Sequence, residues 1–264
     1  MGSNVKTAVR TLEAFEAFGR IKKPLTLSEL ARALGVPLSS CHGLVATLRD
    51  RGYVYSVGDN RQVYPTRRIF DVAEAIVRHD PLLEAAAPVL QRLRDDTGET
   101  VILGTREGDG VVYLDVIEGL HTIRYSAKPG EIKPLHSSAI GKAVLASLDE
   151  PDLAKTLSRL TLEGITDATL TEENSLRRDL EKGRKNGIFV TRGENVPDVM
   201  GMASPASPGG QPLALALAGP IGRMDEKVAA HAERHRQAAR DLSGLGDAQC
   251  PPPRTTPTTA SLPC

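Results

Sequence analysis

Tryptophan is missing from this sequence, and aromatic residues together make up only 3% of it. A core drawn from such a chain must be built from Leu, Val, Ile and Ala. Cysteine is scarce too. Cys41, Cys250 and Cys264 are too few and too scattered for a disulfide framework or a metal cluster, so a reduced, cytoplasmic protein without metal or cofactor is expected. No apolar run is long enough to cross a bilayer, because Arg, Glu or Asp breaks each candidate, and no membrane partner is expected. The opening MGSNVKTAVRTLEAF lacks the apolar block of a secretory signal. Net charge is absent as well, 33 Lys and Arg balancing 33 Asp and Glu, but the mean hides an asymmetry. Residues 1–68 carry eleven basic and five acidic side chains, net +6, and the remainder carries 22 and 28, net −6. A basic module joined to an acidic one points to a polyanion as partner of the first, with chance composition the plainer alternative.

What is present is periodicity, and 264 residues are enough for two domains. Val5, Val9, Leu12, Phe15 and Phe18 form a helical stripe ended by Gly19. Thr26-Leu27-Ser28-Glu29 reads as a capping box opening a helix over 27–34, which Gly35 closes. Pro37 opens the next helix, Leu38 to about Arg51, with Cys41, Leu44, Val45 and Leu48 on its apolar face. The period then switches to two: YVYSV, a Gly-Asp-Asn turn and RQVYP predict a hairpin. A helix over 66–79 (Ile69, Val72, Ala73, Ile76), then Asp80-Pro81 and a second helix to Gly98, marks the boundary between modules. Beyond it, TVILGTRE, GVVYLDVIEG and TIRYSA read as strands. Helices follow over 138–147, 150–158 and 172–186, then strands near 187–192, 199–204 and 212–218, and a last helix from Arg223 to about Leu242. Blocks of this kind predict an α+β domain around an antiparallel sheet. From Asp247 the Pro/Thr-rich tail predicts disorder.

Two short helices joined by a turn containing Gly are a helix-turn-helix, and the hairpin after them makes it winged. With Cys41, Leu44, Val45 and Leu48 turned inward, Ser39, Ser40, His42, Gly43, Thr47 and Arg49 point away from the core. Short hydrogen-bonding side chains near a helix N-terminus suit phosphate oxygens and base edges in a major groove. Arg10, Arg20, Lys22, Lys23, Arg61, Arg67 and Arg68 supply charge for phosphate attraction. The competing reading is a winged helix that serves as a protein-interaction module.

Three stretches, VKTAVRTLEAFEAF, LTLSELARALGVPLSSCHGLVATLRDRGYVY and QVYPTRRIFDVA, resemble the N-terminal module of the IclR family of bacterial transcriptional regulators. The likeness continues through LQRLRDDTGETVILGTREGDGVVYLDVIEG, IRYSAKPGEIKPLHSSAIGKAVLA, LRRDLEKGRKNGIFV and PLALALAGPIGRM, covering residues 4 to about 243. It implies a winged helix-turn-helix over 1–65, a linker helix over 66–80, a GAF-like effector-binding α+β domain over 81–246 and a tail over 247–264. It further implies a homodimer or homotetramer on near-palindromic double-stranded operator DNA, repressing or activating in response to a small organic acid. Ligand closure would act on DNA through the linker helix. The resemblance places Thr26 with the DNA-facing residues above. The family often has Lys after the Pro and Arg after the His of the recognition helix; here Leu38 and Gly43 stand there. Two cations are missing, and arginines on the first helix and wing are expected to carry more of the affinity.

The resemblance also implies an effector pocket. Its anion site is the pair of amides of Ala139 and Ile140, after the motif Leu135-His136-Ser137-Ser138, and its apolar wall is Tyr125. Positions where the family often has Asp, Cys and two serines fall on Thr191, Gly201, Ala216 and Ala218. Such a pocket implies an effector bulkier and less polar than glyoxylate or pyruvate, an aromatic or related acid, although the alanines equally suit plain sheet packing. Rival readings are an enzyme or small-molecule carrier, or an adaptor, with a vestigial DNA-binding module. Gly141-Lys142 lacks the upstream glycine and following Ser/Thr of a phosphate loop. His231 and His235, four apart, read as a solvated helix face, His136 as structural and Cys41 as a small core residue.

Overall fold

The computed structural model describes residues 5–58 and 61–246. Asp59 and Asn60 of the expected hairpin turn, and the tail expected to be disordered, lie outside the described residues. The chain divides into two compact units, residues 1–80 and 81–264.

In the first unit, α1 (Lys6–Ile21) is followed by β1 (Leu25–Thr26), α2 (Leu27–Leu34), α3 (Leu38–Asp50), β2 (Val54–Val57), β3 (Gln62–Pro65) and α4 (Arg68–Arg78). The capping box is present: the Glu29 amide donates to Thr26 Oγ1 over 3.2 Å, and the Thr26 amide donates to Glu29 Oε2 over 2.8 Å. Gly35 closes α2 at φ 61°, where a Cβ would be strained. The wing pairs β2 with β3, and β1 adds a strand that the sequence did not reveal, Leu25 opposite Val63. Two residues are too short to show a period.

Gly19 does not end α1. The helix runs on to Ile21, and Lys22 takes the left-handed terminal position at φ 57°. Nor is the apolar stripe buried along its length. Ala14, Ala17 and Phe18 enter the core, whereas Val5, Val9 and Leu12 are exposed. In the same way α4 buries no residue, and Phe70, Val72, Ile76 and Val77 all stand open. Both helices are amphipathic with an uncovered apolar face.

The second unit begins with α5 (Pro81–Thr97), β4 (Thr100–Glu107), β5 (Gly110–Ile117), β6 (Ile132–Pro134), α6 (Ala139–Ser147), α7 (Glu150–Leu157) and α8 (Glu173–Asn186). It ends with β7 (Phe189–Arg192), β8 (Val199–Ala206), β9 (Leu213–Pro220), α9 (Ile221–Glu226) and α10 (Val228–Ser243). The antiparallel sheet is ordered β6-β5-β4-β9-β8-β7. Strand alternation splits its core. Ala214, Ala216 and Ala218 of β9 face α6 and α8, while Leu213, Leu215 and Leu217 face α5 and α10. The molecule is therefore a winged helix-turn-helix followed by a GAF-like α+β unit.

Three expectations fail here. TIRYSA is not a strand; Ile132–Pro134 pairs with β5 instead, Ile132 opposite Val112. The carbonyls of Ile123 and Tyr125 are taken by side chains of Arg223 and Thr100, so that segment has no ladder to join. The last helix breaks at Lys227 into α9 and α10. His231 and His235 are no solvated face, since both are fully buried against the sheet. His235 Nε2 lies 3.1 Å from the Leu215 carbonyl and Nδ1 lies 3.4 Å from Ser204 Oγ. Neither ring nitrogen of His231 has a hydrogen-bond partner.

Burial pushes the His235 imidazole down from 6.5 to about 4. A depressed value means that the unfolded chain takes up the proton first. The stability this histidine contributes is therefore complete above pH 6.5 and is lost as pH falls toward 4, on the order of 3 kcal/mol. Thermal unfolding followed across that window should show the loss, and His235→Gln should flatten that part of the profile. An unaltered profile in the variant would place the acid sensitivity elsewhere.

Candidate nucleic-acid and ligand sites

On α3 the apolar positions Cys41, Val45 and Leu48 are buried, with Cys41 Sγ 3.6 Å from the Leu27 carbonyl. Leu44 is half-buried. The opposite face presents Ser39, Ser40, His42, Gly43, Thr47 and Arg49, all exposed. Ser39, Gly43 and Thr47 follow one another at four-residue spacing, one above the next along the helix. The Thr47 hydroxyl donates back to the Gly43 carbonyl over 3.0 Å. Leu38 is 53% exposed, an apolar residue on a polar surface.

The remaining basic positions differ in how free they are. Arg49 and Arg61 are exposed and Arg10 is half-buried; none of the three forms an ion pair among the described residues. Arg67 Nε lies 3.2 Å from Asp71 Oδ1, and its guanidinium sits 5.4 Å from the Phe70 ring centre, so its charge is partly spent within the chain. Thr26 is committed to the capping box.

Tyr125, Ala139, Ile140, Thr191, Gly201, Ala216 and Ala218 line one cavity of the second unit. Strand register explains why they converge. Thr191 pairs with Gly201, Gly201 with Ala218, and Ala218 with Thr100, so β7, β8, β9 and β4 lay one row of residues across the floor. Ala216 lies opposite Ile102 in the next row on that face. Gly201 leaves room for the helix above: a Cβ there would stand 3.0 Å from the Ala139 Cβ and from Thr191 Oγ1.

Ser138 caps α6. Its hydroxyl accepts from the Gly141 amide over 3.1 Å and donates to the Pro134 carbonyl over 2.6 Å. The amides of Ala139 and Ile140 then have no acceptor in the described chain. Two free amides at a helix N-terminus are suited to a carboxylate. Tyr113 and Tyr125 close one side. Burial, reinforced by Tyr125, pushes the Tyr113 phenol far up, so it stays protonated and can donate. The lining holds no Asp, Glu, Lys, Arg or His.

The sequence did not assign Ile102, Tyr113, Ser138, Asn195, Val196, Val199 or Leu217 to this cavity. Ile102 could be inferred once β4 and β9 are known to pair; the loop residues Asn195 and Val196 carry no period to betray them. It also missed what Lys142 does. This residue has no exposed surface, and its Nζ lies 2.6 Å from Asp179 Oδ2 and 2.7 Å from Glu194 Oε2. Burial raises the Glu194 carboxyl while Lys142 holds it down, the net being upward. His136 bonds the Glu163 carbonyl through Nε2 over 2.9 Å. Among the described residues no cluster of His, Cys, Asp and Glu is placed to hold a metal, and no helix is long and apolar enough to cross a membrane.

Two family models match the chain: "IclR helix-turn-helix domain" over residues 7–58 and "Bacterial transcriptional regulator IclR C-terminal" over residues 74–244. The HTH-type transcriptional regulator BhcR of Paracoccus denitrificans is 35% identical over 226 residues, which is 84% of this chain and 81% of that protein. The crystal structure of the Thermotoga maritima IclR aligns with a TM-score of 0.76 at 26% identity, covering 92% of this chain and all of that one. An IclR homologue from Microbacterium hydrocarbonoxydans, complexed with 4-hydroxybenzoate, aligns with a TM-score of 0.73 at 23% identity, covering 92% of this chain and 99% of that one.

Gly43 has ordinary helical geometry, and nothing lies within 4 Å of a Cβ built on it. The isolated fold therefore has no use for glycine there. Gly43→Ala should raise stability by about 1 kcal/mol, read as an upward shift of the thermal midpoint; an unchanged or lowered midpoint would mean that the glycine serves the fold itself.

Proposed function

The chain belongs to the IclR family of bacterial transcriptional regulators, and on that premise we propose that it is a cytoplasmic, non-catalytic regulator that binds a near-palindromic operator and responds to an aromatic or related organic acid. One observation carries the reading: the seven residues that the family resemblance implies line a single cavity that offers free helix-terminal amides and no ionisable side chain except tyrosine. Such a cavity can hold an anion with an apolar body but has no general base to act on it. A complex with 4-hydroxybenzoate is known for the Microbacterium fold relative, and the alanine floor here offers an apolar surface to the body of such an acid.

DNA binding is assigned to Ser39, Ser40, His42, Gly43, Thr47 and Arg49 on the exposed face of α3, with Arg10, Arg61 and Arg67 supplying phosphate contacts; Thr26 caps α2, the helix against which α3 packs. The uncovered apolar faces of α1 (Val5, Val9, Leu12) and α4 (Phe70, Ile76, Val77) favour a homodimer, or a homotetramer built from it. Two-fold symmetry would then call for a two-fold operator. An acid changes DNA affinity only if it binds the DNA-competent and incompetent states unequally.

Band shifts with the duplex upstream of the protein's own gene, at two salt concentrations, test the first part. Binding should weaken steeply with salt, and Arg61→Ala should reduce the slope by about 0.9. Absent or salt-insensitive binding would favour an adaptor, for which the exposed Leu38 speaks.

Calorimetry tests the second part. Benzoate should bind more tightly than glyoxylate or pyruvate; the reverse order refutes the effector class.

A further inference from the structure

The wall of the cavity that holds Tyr125 is a segment with no ladder of its own. From Glu118 to Ala127 the chain forms neither helix nor strand, and it is fastened by four hydrogen bonds from outside. The Leu120 amide donates to the Gly98 carbonyl over 2.9 Å, and the Gly119 amide to Thr100 Oγ1 over 3.0 Å. Thr100 Oγ1 donates onward to the Tyr125 carbonyl over 2.5 Å. Arg223 Nη2 donates to the Ile123 carbonyl over 3.0 Å. The four bonds come from Gly98 in the turn between α5 and β4, from Thr100 at the start of β4 and from α9, which begins directly after the β9 strand that floors the cavity.

Arg223 cannot easily be elsewhere. Its Nε lies 2.5 Å from Glu99 Oε1 and its Nη2 2.8 Å from Glu99 Oε2, a bidentate pair. The Glu99 side chain has no solvent exposure, and a buried carboxylate deprived of its cation is strongly unfavourable. The backbone is cut to fit this pair. A Cβ on Gly219 would overlap the Glu99 carboxylate, and one on Gly119 would come within 2.7 Å of the Gly98 carbonyl. The guanidinium is thus fixed by Glu99, and the same Nη2 reaches the loop midway between its fastenings at Gly119 and Tyr125. Arg223 does not itself line the cavity.

We infer that Arg223 is a positioning residue of the effector site: held by Glu99, it clamps the 118–127 loop at Ile123 and so sets the place of Tyr125 against the ligand. The inference rests on the cavity being the effector site, as proposed above. Ligand affinity and residence time then depend on a residue that never meets the ligand.

Arg223→Lys keeps a cation for Glu99 but loses the planar fork that also reaches Ile123. Hydrogen–deuterium exchange on the full-length protein should show amides 118–126 exchanging about tenfold faster in R223K, with α8 unaffected. Benzoate should dissociate about tenfold faster from R223K in stopped-flow measurements, whereas a purely structural role would lower the thermal midpoint without changing dissociation. Unchanged exchange over 118–126 overturns the inference. If R223K does not fold, the double variant E99Q/R223M, which leaves no unpaired buried charge, takes its place: faster exchange over 118–126 than in the wild type supports the clamp, and unchanged exchange there refutes it. Wild-type protein that binds no benzoate while R223K loosens the loop would overturn the effector class and leave the clamp standing.

Discussion

Lys142 is the side chain around which the ligand-binding unit is arranged. Its ammonium group lies wholly inside the protein between the carboxylates of Asp179 and Glu194, and it can be there only because both are there. That triad joins α6, α8 and the loop after β7. The loop is held from its other side as well, by the Thr166 hydroxyl on the Gly193 carbonyl and the Thr169 hydroxyl on the Glu194 carbonyl, each at 2.6 Å. Since α6 supplies the free amides and the loop supplies Asn195 and Val196, a single set of buried charges holds two walls of the cavity in register.

Glycine completes the seating of α6. A Cβ on Gly141 would come within 2.5 Å of the Leu135 carbonyl, so only glycine lets the chain entering the helix pack against its first turn. With Ser138 capping the Gly141 amide, the amides of Ala139 and Ile140 are left over, and both residues line the cavity floored by Thr191, Gly201 and Ala218. The result is a pair of free backbone amides above a floor of small side chains, an arrangement suited to an anion. Such a site favours a carboxylate for its shape and charge and asks little of the side chains around it, which are free to tune the body of the ligand. In the DNA-binding unit the division of labour is similar. The fold of α3 is secured by Cys41, Val45 and Leu48, and its outer face is left to polar side chains that pack against nothing.

Much of this was legible in the linear sequence because the signals are local. The Thr26–Glu29 box, the Gly35 stop, the switch from a helical to a strand period after Gly52, and the Leu-Ala alternation of β9 each act over a few residues. They emerge in the structure as α2, the turn, the wing and the two-faced central strand. The misreadings share the opposite origin. Gly19 marks a helix end only where the chain is free to turn, and here the helix persists to Ile21. TIRYSA alternates like a strand, but its carbonyls are claimed by Thr100 and by Arg223, a hundred residues distant. The i, i+4 histidines of HAERH suggested an outward face, yet they lie inward because α10 packs both positions onto the sheet.

The sequence alone determined the two modules and the class of each, since periodicity, capping and strand alternation are properties of neighbours along the chain; the family, and seven of the residues that meet in the cavity, followed from its resemblance to known regulators. Tertiary structure decided what partners those residues have: the ion triad of Lys142, the Glu99–Arg223 pair that fastens the Tyr125 loop, and the burial of two histidines. Those outcomes depend on groups up to 124 residues apart being brought into a shared low-dielectric interior, where an unpaired charge is intolerable and a paired one becomes a clasp.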